Sequence, residues 1–248
     1  MTGRRAQNFT RMENEIRKNI RHILAEVTNR KKSIWKKTGE IILEMFIIVF
    51  AVSFAVFMER RREHKHEQKE VKEFLTGLRL DLRNDILEMQ DDRTGYEAQA
   101  KWFLYLGKEK ILNIDTVRKY DWVSWNTIQL LVNSGRYEGF KTSGKLNTIE
   151  NTELRNDILD LYQETIIALT NNTAGYVRLK REFQQLIYKK RKNTGEAGDN
   201  LIEVLQDPEI RNYCLQLRFT NEPVRYYNNA ISRAARIIEL INLEYPEK

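Results

Sequence analysis

Residues 41–58, IILEMFIIVFAVSFAVFM, limit most strongly what this chain can become, because only Glu44 and Ser53 among these eighteen positions are polar. A helix rises ~1.5 Å per residue, so the run is roughly 27 Å long and nearly matches the hydrocarbon core of a bilayer. Twelve of the eighteen are Ile, Leu, Val or Phe. At about −0.3 to −0.6 kcal/mol each, these outweigh the ~3 kcal/mol cost of one acidic residue near an end. A core helix of a water-soluble protein usually has a shorter apolar run and keeps a polar stripe. The sequence therefore predicts a transmembrane helix over residues 39–58. A cleaved signal sequence is the rival reading, because Ala51, Val52 and Ser53 are small; a 39-residue leading region and an apolar run that continues to Met58 weigh against it.

The net charge of +7 is unevenly placed: residues 1–39 carry 11 Lys/Arg against 3 Asp/Glu, and the rest carries 31 against 32. The main body is close to neutral, so the sequence predicts no nucleic-acid surface on it. Lys/Arg counts within 20 residues of the span tie at six on each side (six at 20–39; Arg60, Arg61, Arg62, Lys65, Lys69 and Lys72 after it). Moving a short, strongly basic tail across an energised membrane is unfavourable, which favours a cytoplasmic N-terminus and a periplasmic C-terminal domain in a bacterial inner membrane.

Within the basic arm, residues 1–38, Phe9, Met12, Ile16, Ile20, Ile23, Leu24 and Val27 recur at steps of three and four and share one helical face. Thr10 and Glu13 have capping-box spacing, and Arg11, Lys18, Arg21 and His22 project opposite the stripe. Two readings of this amphipathic helix stand: one lying on an anionic membrane surface, and one packing on a partner helix or a second copy. Glu40 and Glu44 share a face at the start of the span, where a carboxylate is costly unless a lysine, water or the helix dipole meets it. Snorkelling toward Lys36 or Lys37 is one outcome, and titration inside an oligomeric assembly is the other. Ala51 and Ala55 have the small-xxx-small spacing that lets transmembrane helices pair.

After the span, residues 59–73 are charged all round and read as a solvated helical stalk. Val71, Phe74, Leu75, Leu78, Leu82, Ile86 and Met89 then begin an apolar stripe, so a helical bundle domain is predicted over residues 74–248. Glu63 and His66 have a metal-site spacing but lack further ligands, and His64 and His66 point in different directions. Trp102, Phe103, Tyr105, Tyr120, Trp122, Trp125, Tyr137 and Phe140 read as core, because no basic residues interleave them as in a base-stacking platform. Helices are predicted from about Thr152 and over about 174–192, with a loop at 193–200. Asp207 and Pro208 read as a helix cap with proline at the first position. Val224, Tyr227, Ile231, Ala234, Ile238, Ile241 and Tyr245 form a heptad that fits a bundle core or an intermolecular coiled coil. The hexapeptide LRNDIL, at 82–87 and 154–159, has no flanking similarity and reads as chance. Lone Cys214 makes no intramolecular disulfide and reads as a small buried hydrophobe.

Three motifs occur in order: Gly39, Glu40 and Ile41 at the start of the span; Leu75, Leu78, Asp81 and Asp85 on the following helix; and the block SGRYEGFKTSGKLNTIENTELRNDILDLY with Ser134, Gly135, Phe140, Ser143, Gly144, Leu146, Ile149, Asn151, Leu154 and Tyr162. This order resembles that of an uncharacterised family of single-span Gram-negative bacterial proteins, defined as a domain of unknown function, over most of residues 39–245. The chain departs from that family in having Glu44 where an apolar residue is usual. The resemblance implies a membrane location and a helical domain; it supplies no activity, substrate or cofactor.

The fold class expected is all-α: an amphipathic N-terminal helix, one transmembrane helix continuing into the stalk, and an antiparallel helical bundle. No Gly-rich phosphate loop, zinc-ligand spacing or nucleophile motif occurs, so neither catalysis, a cofactor nor a metal is expected. The functional expectation is a membrane-anchored scaffold that binds the bilayer and itself or a protein partner. Two alternatives accompany it: a subunit of an ion- or proton-coupled complex using Glu44, and a periplasmic helical ligand sensor.

Overall fold

The computed structural model describes the backbone of residues 3–192 and 199–247, with side chains at Lys18, Arg21 and Thr38 and from Ile42 onward within those ranges. Every regular element among them is helical. The chain forms two compact units, Met1–His66 and Glu67–Lys248.

Helix α1 extends from Gly3 to Lys108, in keeping with the absence of proline before Pro208. It starts seven residues ahead of Thr10, so the capping box expected at Thr10 and Glu13 is not a helix start; both residues lie inside the helix. The side chains of the arm stripe, Phe9 to Val27, and of Glu40 lie outside the described residues.

In the second unit α1 is followed by α2 (Ile114–Tyr120), α3 (Trp122–Trp125), α4 (Gly135–Thr142), α5 (Thr152–Asp160), α6 (Ile166–Lys190), α7 (Leu201–Leu205), α8 (Pro208–Leu217) and α9 (Asn221–Glu244). Residues 193–198 of the expected 193–200 loop lie outside the described residues. The Asp207 carboxylate accepts from the Glu209 and Ile210 amides, with Pro208 opening α8, as the sequence predicts.

Instead of breaking near residue 174, the chain continues from α5 through a π-helical turn at Leu161–Thr165 into α6. The helix-poor residues in the middle are accommodated because Thr170 donates to the Ile166 carbonyl and Thr173 to that of Leu169.

Strict heptad steps build the core. On α1 they pass through Val71, Leu75, Leu78, Leu82, Asp85, Met89, Asp92, Tyr96, Gln99, Phe103 and Leu106; on α6 through Leu169, Thr173, Tyr176, Lys180, Phe183 and Ile187. The α1 stripe thus passes through Asp85, which is 2% exposed, while Ile86, the residue expected there, is only partly buried. The Asn133 amide and side chain donate to Asp85 at 3.1 and 2.6 Å, which makes its burial tolerable. On α9 the buried positions are Pro223, Tyr227, Ala230, Ala234, Ile237 and Ile241. The expected heptad shares Tyr227, Ala234 and Ile241 with this set, and its Val224, Ile231, Ile238 and Tyr245 flank the core.

Cross-helix contacts set the directions. Arg79 donates to the Tyr245 carbonyl and Arg93 to Asn228, so α9 runs opposite to α1. Tyr96 meets Tyr176 edge-on and Phe103 meets Phe183 edge-on, so α6 runs with α1. The second and third sequence motifs meet here: Arg136 pairs with Asp81 at 2.8 Å, Phe140 stacks on Phe74 at 4.0 Å, and Tyr162, in the π turn, stacks on Tyr137 at 4.2 Å. Asn151 caps α5 by accepting from the Leu154 amide. Gly144 has φ of 74°, a left-handed conformation that a side chain would strain. These positions serve packing and turns.

Candidate functional site

Two regions stand out. The first is the apolar stretch of α1 in the N-terminal unit, where an 18-residue window has mean hydropathy 2.3 and no part of it is buried. Phe46, Phe50 and Phe54 stack along one side at centroid spacings of 6.4 and 6.2 Å, and Arg61 lies over the Phe57 ring. Glu44, Ala51 and Ala55 are all exposed. At ~100° per residue these three lie within about 40° of one another around the helix.

The second region is an aromatic cleft in the helical unit. The aromatic residues expected in the core divide into two sets. Trp102, Phe103 and Tyr137 are buried, and Tyr105 and Phe140 pack against the core. Tyr120, Trp122 and Trp125 are exposed, Trp122 at 59%. The difference arises because α2 and α3 are short and lie against the surface of α1, with Val117 and Val123 supplying their buried contacts. A cavity of about 360 Å³ opens between them, with Trp102, Tyr105, Tyr120 and Trp122 as its aromatic lining and Ala98, Val123, Thr116 and Lys101 completing it.

Hydrogen bonds fix the two inner rings, Trp102 and Tyr105. Trp102 donates its Nε1–H to the buried Ser124 hydroxyl at 2.7 Å and stacks against Tyr105 at 5.6 Å. The Tyr105 hydroxyl accepts from the backbone amide of Asn113, the residue whose side chain caps α2 by accepting from the Thr116 amide. Lys119 lies over the outer Tyr120 ring at 5.2 Å. Exposure of Trp122 leaves on the order of 100 Å² of apolar ring in water, and covering it would release about 2–3 kcal/mol. Lys101, on the rim, makes no ion pair or hydrogen bond among the described residues, and no carboxylate lines the cavity.

Behind the cleft, Lys180 occupies a core position of α6 at 2% exposure. Its ammonium donates to the carbonyls of Val123, at 2.8 Å, and of Asn126, closing the end of α3. Gln184 donates to the Ser124 carbonyl beside it. Sequence reading missed Lys180; the available signal was a lysine at a heptad position between Tyr176 and Phe183. Burial pushes its pKa down to about 7, while the two carbonyl acceptors favour the charged form. Between pH 7 and 8.5 the unfolded chain keeps this proton and the folded one releases it, so stability rises with pH, by at most ~2 kcal/mol. The window ends where the thiol of Cys214, pushed up to about 12 by burial, begins to ionise in the unfolded chain. Denaturant titrations at pH 7.0 and 8.5 should show this rise, and the Lys180→Met variant should flatten it.

No group of three or more His, Cys, Asp or Glu able to hold a metal occurs among the described residues. No protein-family model matches the chain, and neither a curated protein nor a solved structure matches it.

Proposed function

We propose that the chain is a single-pass membrane protein whose helical bundle, borne outside the bilayer, is a non-catalytic interaction module that associates with itself or with a protein partner. The observation carrying this reading is the fully exposed apolar window of α1, since a stretch of mean hydropathy 2.3 with no protein covering it requires another apolar environment. The motif order supports membership in the single-span family of unknown function. The cost of moving the short basic arm across an energised membrane favours a cytoplasmic N-terminus and a periplasmic bundle, and the arm's apolar stripe favours its lying on the membrane surface. Self-association is favoured by Glu44, Ala51 and Ala55 sharing one face: close approach at the alanines would let paired carboxylates share a proton.

Light scattering of the full chain in mild detergent tests this. The expected mass is a dimer or larger, and the Ala51→Leu/Ala55→Leu variant should shift it to the 29.6 kDa monomer. A wild-type monomer that recovers no partner would overturn the interaction reading.

A further inference from the structure

We propose that the aromatic cleft formed by α1, α2 and α3 is a binding site for a small molecule that joins a flat apolar ring to a negatively charged group. The site lies wholly within the helical unit, and the inference stands independently of the membrane reading.

Size, shape and charge each narrow the ligand. A volume of about 360 Å³ lies at the lower end of small-molecule sites, so it suits one or two fused rings with a short substituent. The lining supplies ring faces: Trp102 is fixed by Ser124, Tyr105 by the Asn113 amide, and Trp122 stands at the opening with most of its surface in water. An apolar ring entering here gains stacking area at little ordering cost, because the inner rings are already held.

Charge decides between kinds of ring. Cages of aromatic rings commonly take cations, but here Lys101 is on the rim and Lys119 already covers Tyr120. Glu97, Asp115 and Asp121 each adjoin a lining residue in sequence but none of them lines the cavity, and Asp121 accepts from Trp125 Nε1 at 2.9 Å. A cation would meet like charge with no carboxylate to pair with. A carboxylate or similar anion on the ring would meet Lys101, which lacks a partner among the described residues, and the Thr116 hydroxyl lies in the same lining.

Ligand-observed fluorine NMR on the full chain in mild detergent tests this with 4-(trifluoromethyl)phenylacetate, the corresponding amide, and 4-(trifluoromethyl)benzylamine. Comparison with Trp122→Ala in the same detergent subtracts partition into micelles. The expected order is acid, then amide, then amine, with the acid about tenfold tighter than the amine, the factor that ~1.4 kcal/mol carries. Trp122→Ala should weaken the acid about tenfold, and Lys101→Gln should abolish the preference for acid over amide. Both positions are exposed, and circular dichroism should show both variants as folded as wild type. Equal signals from wild type and Trp122→Ala, preference for the amine, or no preference of acid over amide would each overturn the proposal.

Discussion

Replacing Val49 and Phe50 together by lysine should abolish insertion of the chain into membranes. Both residues lie mid-run, where a lysine costs about 2.5–3.5 kcal/mol and each lost apolar residue forfeits a further ~0.5 kcal/mol. The twelve Ile, Leu, Val and Phe residues of the span contribute about −4 to −7 kcal/mol, so two central lysines cancel the driving force. Translation in the presence of inverted inner-membrane vesicles, followed by protease, measures this. Wild type should yield a protected fragment containing residues 67–248, and the double variant should be digested throughout. Lysine at Arg61, outside the apolar run, should leave protection unchanged.

Truncating Phe103 to alanine should lower the stability of the helical unit by about 3–5 kcal/mol. Phe103 is fully buried on α1, meets Phe183 edge-on at 5.3 Å, and lies 5.8 Å from the Lys180 ammonium. Its removal opens a cavity between α1 and α6 and takes an aromatic face away from a buried cation. Thermal unfolding by circular dichroism should show a fall of roughly 10 °C for a unit of this size. Phe219→Ala is the internal control: its ring is 62% exposed, and its loss should change stability by less than ~0.5 kcal/mol.

The sequence made the helices legible because proline is absent before Pro208 and apolar residues recur at steps of three and four. The apolar run at 41–58 was read from composition alone, and Asp207-Pro208 marked the start of α8 through chemistry local to the chain. Less legible were features decided by distant partners. Asp85 occupies a core position that periodicity assigned to Ile86, because Asn133, 48 residues away, supplies its hydrogen bonds. The second helix expected to start near residue 174 is the continuation of α6, in which Thr170 and Thr173 bond back to the carbonyls of Ile166 and Leu169. The repeat LRNDIL places Leu82 and Leu154 in the core, yet its aspartates have unrelated roles: Asp85 accepts from Asn133, and Asp157 faces Arg236.

The cleft was hidden for a related reason. Trp102 and Trp122 are equally hydrophobic as letters, and only the shortness of α2 and α3 leaves one inside and the other in water. Lys180 likewise reads as a surface residue until the carbonyls of Val123 and Asn126 are found above it.

Extraction of cell membranes with sodium carbonate at pH 11, followed by ultracentrifugation, tests the central claim most directly. The full-length chain should remain in the pellet and enter the supernatant only when detergent dissolves the lipid. Intact protein in the carbonate supernatant would mean that residues 41–58 are covered by protein instead of lipid.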